Sequence, residues 1–330
     1  MIGQKFHYER ESHRRNAIHE ELKESMMNKS LLRMILTVAL MITAGSVVLL
    51  AADDDSLHGK PEPKAAGIHW AKGNALGGHG KPVRSPNLSW HGGPIMVSAR
   101  TTAIFWGPGW ADPAQVEKIN GLDSFYGGMG GTAFDRTADE YTDSTHTVTD
   151  SISYSGHLVD TSQATGGGST SAILNEVCKM ISNPVSNGYY PVYVDLFRGN
   201  AGFCAWHSAS TCGGVIVQFA FFFDLDGDVG CDPNDSASGH SEGLAALANV
   251  SAHELSEARS DPHLDAWFDS QGAENSDKCA WSFGPTLVPF NNGTSWKLQG
   301  NWSNSAYNST TRGYQNSSGQ KGCIDGGTYN

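Results

Sequence analysis

One histidine and three acidic residues lie at metal-binding spacing in the C-terminal half of the chain, in the segment His253-Glu254-Leu255-Ser256-Glu257 and then Glu274. His253 and Glu257 are four apart in a stretch of helical pattern. Side chains at that spacing share a helix face, about 5–6 Å apart at Cβ, so one ion can be gripped by both. Glu254 follows the histidine directly and points beside such an ion, where a base that takes a proton from water belongs. Glu274 arrives beyond a turn and opens Glu274-Asn275-Ser276-Asp277, which reads as the start of a returning helix. Asp277 can then orient a ligand from behind. The expected metal ligands are therefore His253, Glu257 and Glu274, with Glu254 as the catalytic base. Zn²⁺ fits, because zinc accepts both imidazole and carboxylate. Two glutamates would neutralise the ion, weaken it as a Lewis acid and admit harder ions such as Mn²⁺ or Ca²⁺. Set against this, the short pattern His-Glu-x-x also arises by chance on solvated helix faces.

Other patterns compete. Asp224, Asp226 and Asp228 form part of a calcium-type loop, a possible Ca²⁺ site, but Val229 stands where an EF-hand needs glycine. Gly239-His240-Ser241-Glu242-Gly243 matches a serine-hydrolase elbow. That elbow requires a strand directly before the serine, and a polar loop precedes it here, so Ser241 reads as a helix N-cap. His263 lies where some zinc enzymes place a third histidine, but no methionine follows Met180 to make the turn that accompanies it. Cys204-Ala205-Trp206-His207 can supply one more ligand. A bridged cysteine beside a packed histidine explains it more simply.

The elements that must position these groups are legible in part. Residues 242–260 read as a helix, with Leu244, Leu247, Ala248, Ser251, Leu255 and Ala258 on its inward stripe; Asp261-Pro262 ends it, since the residue before proline leaves the helical region. Residues 169–182 show a second helical pattern, and 112–126 hold a third. Residues 189–197 and 214–223 are apolar runs that read as buried strands, 94–107 contains a strand, and 142–160 alternates like exposed strands. The region after Pro285 is turn-rich, with a short strand near Trp296.

The first 52 residues are not expected to belong to the fold. Lys29 and Arg33 precede an apolar run that ends in small residues, the pattern of a signal peptide cleaved after Ala51 or Ala52, with Met27 as a candidate initiator. An uncleaved anchor is the alternative, since about 18 apolar residues can just span a bilayer. Residues 53–86 are rich in Gly, Pro, Lys and His without apolar period and read as a flexible linker. The single domain is then 87–330. The chain carries 22 Lys+Arg against 34 Asp+Glu, net −12, which excludes nucleic acid as a partner by charge and argues against anionic membranes. Six cysteines, an even number in a chain with an export pattern, predict disulfides, but sequence does not choose the pairing.

Together these segments resemble two known groups. The order His253-Glu254-x-x-Glu257, Glu274, Asp277 is similar to a thermolysin-like zincin, with glutamate in place of the second histidine. Ser89-Trp90-His91-Gly92-Gly93-Pro94-Ile95, Phe105-Trp106-Gly107, Phe203–His207, Ser260-Asp261-Pro262, Ala266–Asp269 and Asp277-Lys278-Cys279 resemble the phosphate-induced protein 1 / EXORDIUM-like family of secreted proteins over roughly residues 87–285. The resemblance implies export, an α+β zincin-like domain with a mixed β-sheet and an HExxE helix, and one of two roles. One is a secreted, zinc-type metal-dependent peptidase acting on a peptide or cell-wall-associated substrate, with no stable membrane insertion after signal cleavage. The other is a non-catalytic extracellular growth- or cell-wall-associated protein.

Overall fold

A computed structural model describes residues 64–74, 87–309 and 321–327. The proposed signal segment lies outside the described residues, as does most of the linker. All described residues fall within one compact unit, 61–330. None of their helices is long and apolar enough to cross a membrane.

The architecture is α+β around a mixed six-stranded sheet. Its strands are β1 (Ala66–Trp70), β2 (Ala99–Trp106), β3 (Ile152–Asp160), β4 (Gly188–Phe197), β5 (Phe203–Cys212) and β6 (Val215–Asp224). The spatial order is β1-β5-β6-β4-β2-β3. β3, β2, β4 and β6 run parallel, β5 is antiparallel to β6, and β1 is antiparallel to β5. The parallel part is built by crossovers through helices α1 (Val116–Met129) and α2 (Thr170–Met180). The chain steps outward from β2 to β3, then back past β2 to β4. Right-handed crossovers in opposite directions put α1 and α2 on opposite faces.

β5 and β6 form a hairpin closed by Gly213-Gly214, both at positive φ (55° and 87°), with Cys212 opposite Val215. A two-residue turn of that hand matches the twist of the strands and strongly favours glycine at both positions.

Helix α3 (Glu242–Ser260) packs against α1, β1, β5 and β6. It starts where Ser241 Oγ accepts the Leu244 N–H at 3.3 Å and stops before Pro262. Ser241 is thus the N-cap that the sequence predicts. Every residue of α3 from Gly243 to Ser260 is buried. A helix enclosed on all sides must satisfy its polar side chains internally. Ser251 Oγ meets Tyr193 Oη at 2.7 Å, and Tyr193 Oη meets Tyr126 Oη at 2.7 Å, tying α3 to β4 and α1. Arg259 donates to the Asp135 carboxylate and to the Thr149 carbonyl. Both members of the Arg259–Asp135 pair are buried, so Arg259→Met is expected to destabilise by about 3–5 kcal/mol by stranding Asp135. Urea unfolding at neutral pH checks this.

The six cysteines form three disulfides, Cys178–Cys212, Cys204–Cys231 and Cys279–Cys323. The sequence had left this pairing open. Cys204 anchors β5 just before His207, and Cys279 anchors the turn that follows Asp277.

Two sequence readings differ from the fold. Residues 66–70, inside the stretch read as a linker, form edge strand β1. The segment from Glu274 does not begin a long returning helix; it makes a single 3₁₀ turn, Asp277–Cys279.

Candidate metal centre

The predicted site residues converge beneath β1. α3 contributes His253, Glu254 and Glu257, the turn after it contributes Glu274 and Asp277, and β5 contributes His207. β1 adds His69, whose ring stacks at 4.1 Å (centroid to centroid, tilted) on His253. Six of these seven side chains are at most 3% exposed; Asp277, at 21%, is the member that reaches solvent.

The geometry is organised around Glu257. Its Oε1 lies 3.1 Å from His253 Nε2 and accepts the Asp277 N–H at 2.9 Å. Its Oε2 lies 3.6 Å from His207 Nε2. Asp277 Oδ1 is 3.6 Å from His253 Nε2, and Glu274 Oε2 is 3.1 Å from His207 Nε2. Ligand-type atoms of His253, Glu257 and Asp277 lie within 4.8 Å of one another, and so do those of His207, Glu254 and Glu257. The expected trio is therefore split. His253 and Glu257 meet as the sequence suggests, but Glu274 sits against His207. Asp277, expected behind the ligands, stands among them.

Cations are missing from this cluster's ion pairs. Among the described residues, the nearby Lys278 pairs with Asp269 and Arg259 with Asp135. No side-chain donor meets either oxygen of Glu254, whose nearest donor is the His69 N–H, and Glu257 Oε2 and Glu274 Oε1 meet no donor. Burial is the main cause pushing Glu254, Glu257 and Glu274 well above the usual carboxylate range. The charges of Glu257 and Asp277 add to this at Glu254, where the His69 N–H pulls the other way. Burial also pulls His253 and His207 down to about 3 and His69 well below its ordinary value, so all three rings are neutral at pH 7. Neutral imidazoles beside carboxyls with no basic side chain are a ligand set for a divalent cation.

His253 is held from its other side. Gln299 Nε2 donates to its Nδ1 at 2.7 Å and to the Ser276 carbonyl at 3.1 Å, while Gln299 Oε1 accepts the Trp281 N–H at 3.3 Å. In that arrangement Nδ1 accepts and Nε2 carries the ring proton, directed at Glu257. An ion held at Nε2 would require the ring proton on Nδ1 and the Gln299 amide turned to present its oxygen there.

β1 fits over the cluster because of one glycine. Gly67 has φ of +50°, and a Cβ there would overlap Glu257 Oε2 and the His207 ring. Gly67→Ala is expected to destabilise by about 1–3 kcal/mol from overpacking, with about 1–2 kcal/mol more from the left-handed backbone. Thermal melting of the full chain tests it.

Sequence reasoning missed His69, which lies in an apparently structureless stretch, and undervalued His207. The signal for His207 was available: it alternates with Ala205 in a segment followed by a Gly-Gly turn and a strongly apolar strand.

The remaining candidates lie elsewhere. Asp224 and Asp226 both bind Lys118 Nζ, at 2.7 and 2.6 Å, and Asp228 makes two bonds to the Arg198 guanidinium at 2.6 and 2.8 Å. The carboxylates of the calcium-type loop are thus met by side-chain cations. His263 lines a surface hollow with Met96, Asn187 and Ile216 that shares no residue with the cluster. Searches of protein-family models, curated proteins and solved structures find no match to this chain.

Proposed function

We propose that this chain is an exported, metal-dependent hydrolase of the zincin-like kind that cuts peptide bonds. The observation that carries the reading is the buried, cation-free meeting of His253 Nε2 with Glu257 and Asp277, beside the buried carboxyl of Glu254, which no side-chain donor meets. His253, Glu257 and Asp277 hold the ion, with Zn²⁺ the best match to one imidazole and two carboxylates. Such an ion, when bound, acidifies water and polarises a carbonyl. Glu254 takes a proton from the attacking water as its oxygen bonds to the carbonyl carbon. It then returns that proton to the amine as the C–N bond breaks, so the base is regenerated. Gln299 holds the His253 ring in place through Nδ1. A polypeptide is the favoured substrate because the centre already lies against an extended main chain, β1. The three disulfides suit an oxidising compartment, in line with the secretory pattern.

The test is elemental analysis of gently purified protein together with cleavage of an unstructured protein substrate. Bound zinc or manganese with chelator-sensitive cleavage is expected. Absence of both would overturn the reading.

A second reading keeps the cluster as scaffold. Its support is the burial of the centre beneath β1, together with the resemblance to EXORDIUM-like extracellular proteins. It predicts a metal-free chain or one that binds metal without cleaving anything.

A further inference from the structure

Glu257 faces two histidines, one with each oxygen, and each histidine faces a second carboxylate. Around His253 Nε2 lie Glu257 Oε1 at 3.1 Å and Asp277 Oδ1 at 3.6 Å. Around His207 Nε2 lie Glu274 Oε2 at 3.1 Å and Glu257 Oε2 at 3.6 Å. Ligands held about 2.0–2.2 Å from one tetrahedral ion stand about 3.4 Å apart. In each group the imidazole Nε2 lies at about that distance from both carboxylates, and the groups share no oxygen. All three residues are mutually within 4.8 Å at His253–Glu257–Asp277, while on the His207 side the trio that is so is His207, Glu254 and Glu257.

Charge points the same way. Glu254, Glu257, Glu274 and Asp277, with buried Asp261 beside Glu257 and Glu274, carry five negative charges when ionised, and no described Lys or Arg pairs with the first four. One divalent ion leaves three negative charges in a site nearly sealed from water, whereas two ions leave one. Uncompensated buried charge is strongly unfavourable. Glu257 Oε2, 3.6 Å from His207 Nε2, is buried without a hydrogen-bond donor, and a single ion at His253 leaves it unmet.

We propose that the centre binds two divalent transition-metal ions, one at His253–Glu257–Asp277 and one at His207–Glu257–Glu274, bridged by the Glu257 carboxylate. This rests on the metal reading above and extends it. Two ions about 3.5–4 Å apart clamp both oxygens of a displacement at an acyl or phosphoryl centre. Glu254, whose ligand atoms lie within 4.8 Å of His207 and Glu257, flanks the second position. His207 becomes a ligand in its own right, and Glu274 serves the second ion rather than the first.

The experiment uses the full chain. Protein stripped with a chelator is reloaded with Zn²⁺, passed over a desalting column and analysed for metal per chain; a parallel sample is loaded with Mn²⁺ for electron paramagnetic resonance. The expected results are two ions per chain and a Mn²⁺ spectrum with the halved hyperfine spacing of a coupled pair. His207→Asn should retain one ion and give the spectrum of an isolated Mn²⁺. One ion per chain in the unaltered protein, with an isolated-ion spectrum, would overturn the second site and leave the single-ion reading standing. No bound ion would overturn both. The spectrum of the unaltered protein decides the question even if the His207 variant fails to fold.

Discussion

Glu254→Gln is expected to lower peptide hydrolysis by about 10²–10⁴-fold, the usual contribution of a positioned general base, while metal content stays unchanged. The substitution keeps the shape of the side chain and removes its charge. Glu254 is fully buried and no side-chain donor meets its oxygens; the His69 N–H beside it can still be accepted by the glutamine oxygen, so the fold loses no bond and sheds a desolvation cost. The melting temperature should therefore hold or rise as activity falls. Turnover, elemental analysis and a thermal melt on one preparation read all three quantities. Undiminished turnover would remove Glu254 as the base, and activity lost together with the ion would make it a ligand instead.

The second large effect is the pH dependence of metal stabilisation. In the stripped protein Glu254, Glu257 and Glu274 titrate well above their ordinary range. Once pH passes about 4.3, where an unfolded glutamate ionises, the folded chain holds protons that the unfolded chain has released. Their contribution to stability then falls with rising pH. The histidines work oppositely. His207 and His253 stay neutral in the fold down to about pH 3, so their effect improves stability as pH rises toward about 6.5 and is constant above it. The carboxyl penalty grows as pH rises above about 4.3. Bound ions cancel that penalty. At a free metal concentration 100-fold above Kd the stabilisation is about 2.7 kcal/mol, or about 5–10 °C for a domain of this size. The gap in melting temperature between loaded and stripped protein should widen as pH rises above about 4.3. Melts with and without chelator at a mildly acidic and a neutral pH check this, and an equal gap would count against a cluster discharged by metal.

The parts of this molecule that could be read beforehand are those whose signals are local. Helix α3 declares its start with Ser241 and its end with Asp261-Pro262, so its bounds follow from caps alone. β4 and β6 are apolar runs because they lie inside the sheet. The convergence of His253, Glu254 and Glu257 follows from helix geometry. β1 had no such signal. Ala66–Trp70 becomes a strand only by pairing with β5, far along the chain, and Gly67 is present because Glu257 and His207 leave no room for a side chain. β5 was obscured by Ser208, Ser210 and Thr211, polar residues on a strand that is apolar elsewhere. The splitting of Glu274 from His253 was equally invisible, since it depends on His207 arriving from the sheet.

The margin of the sheet beside the centre is already taken. β1 lies along β5 with Ala66 opposite His207, His69 opposite Ala205 and Trp70 opposite Phe203. Backbone donors and acceptors that an incoming extended chain would use there are engaged by the protein's own residues. A guest polypeptide can add to β5 only by strand exchange, one ladder dissolving as another forms. The resident competitor is tethered, and tethered segments act at effective concentrations around the millimolar range. A weakly binding free peptide would lose that contest while β1 remains attached.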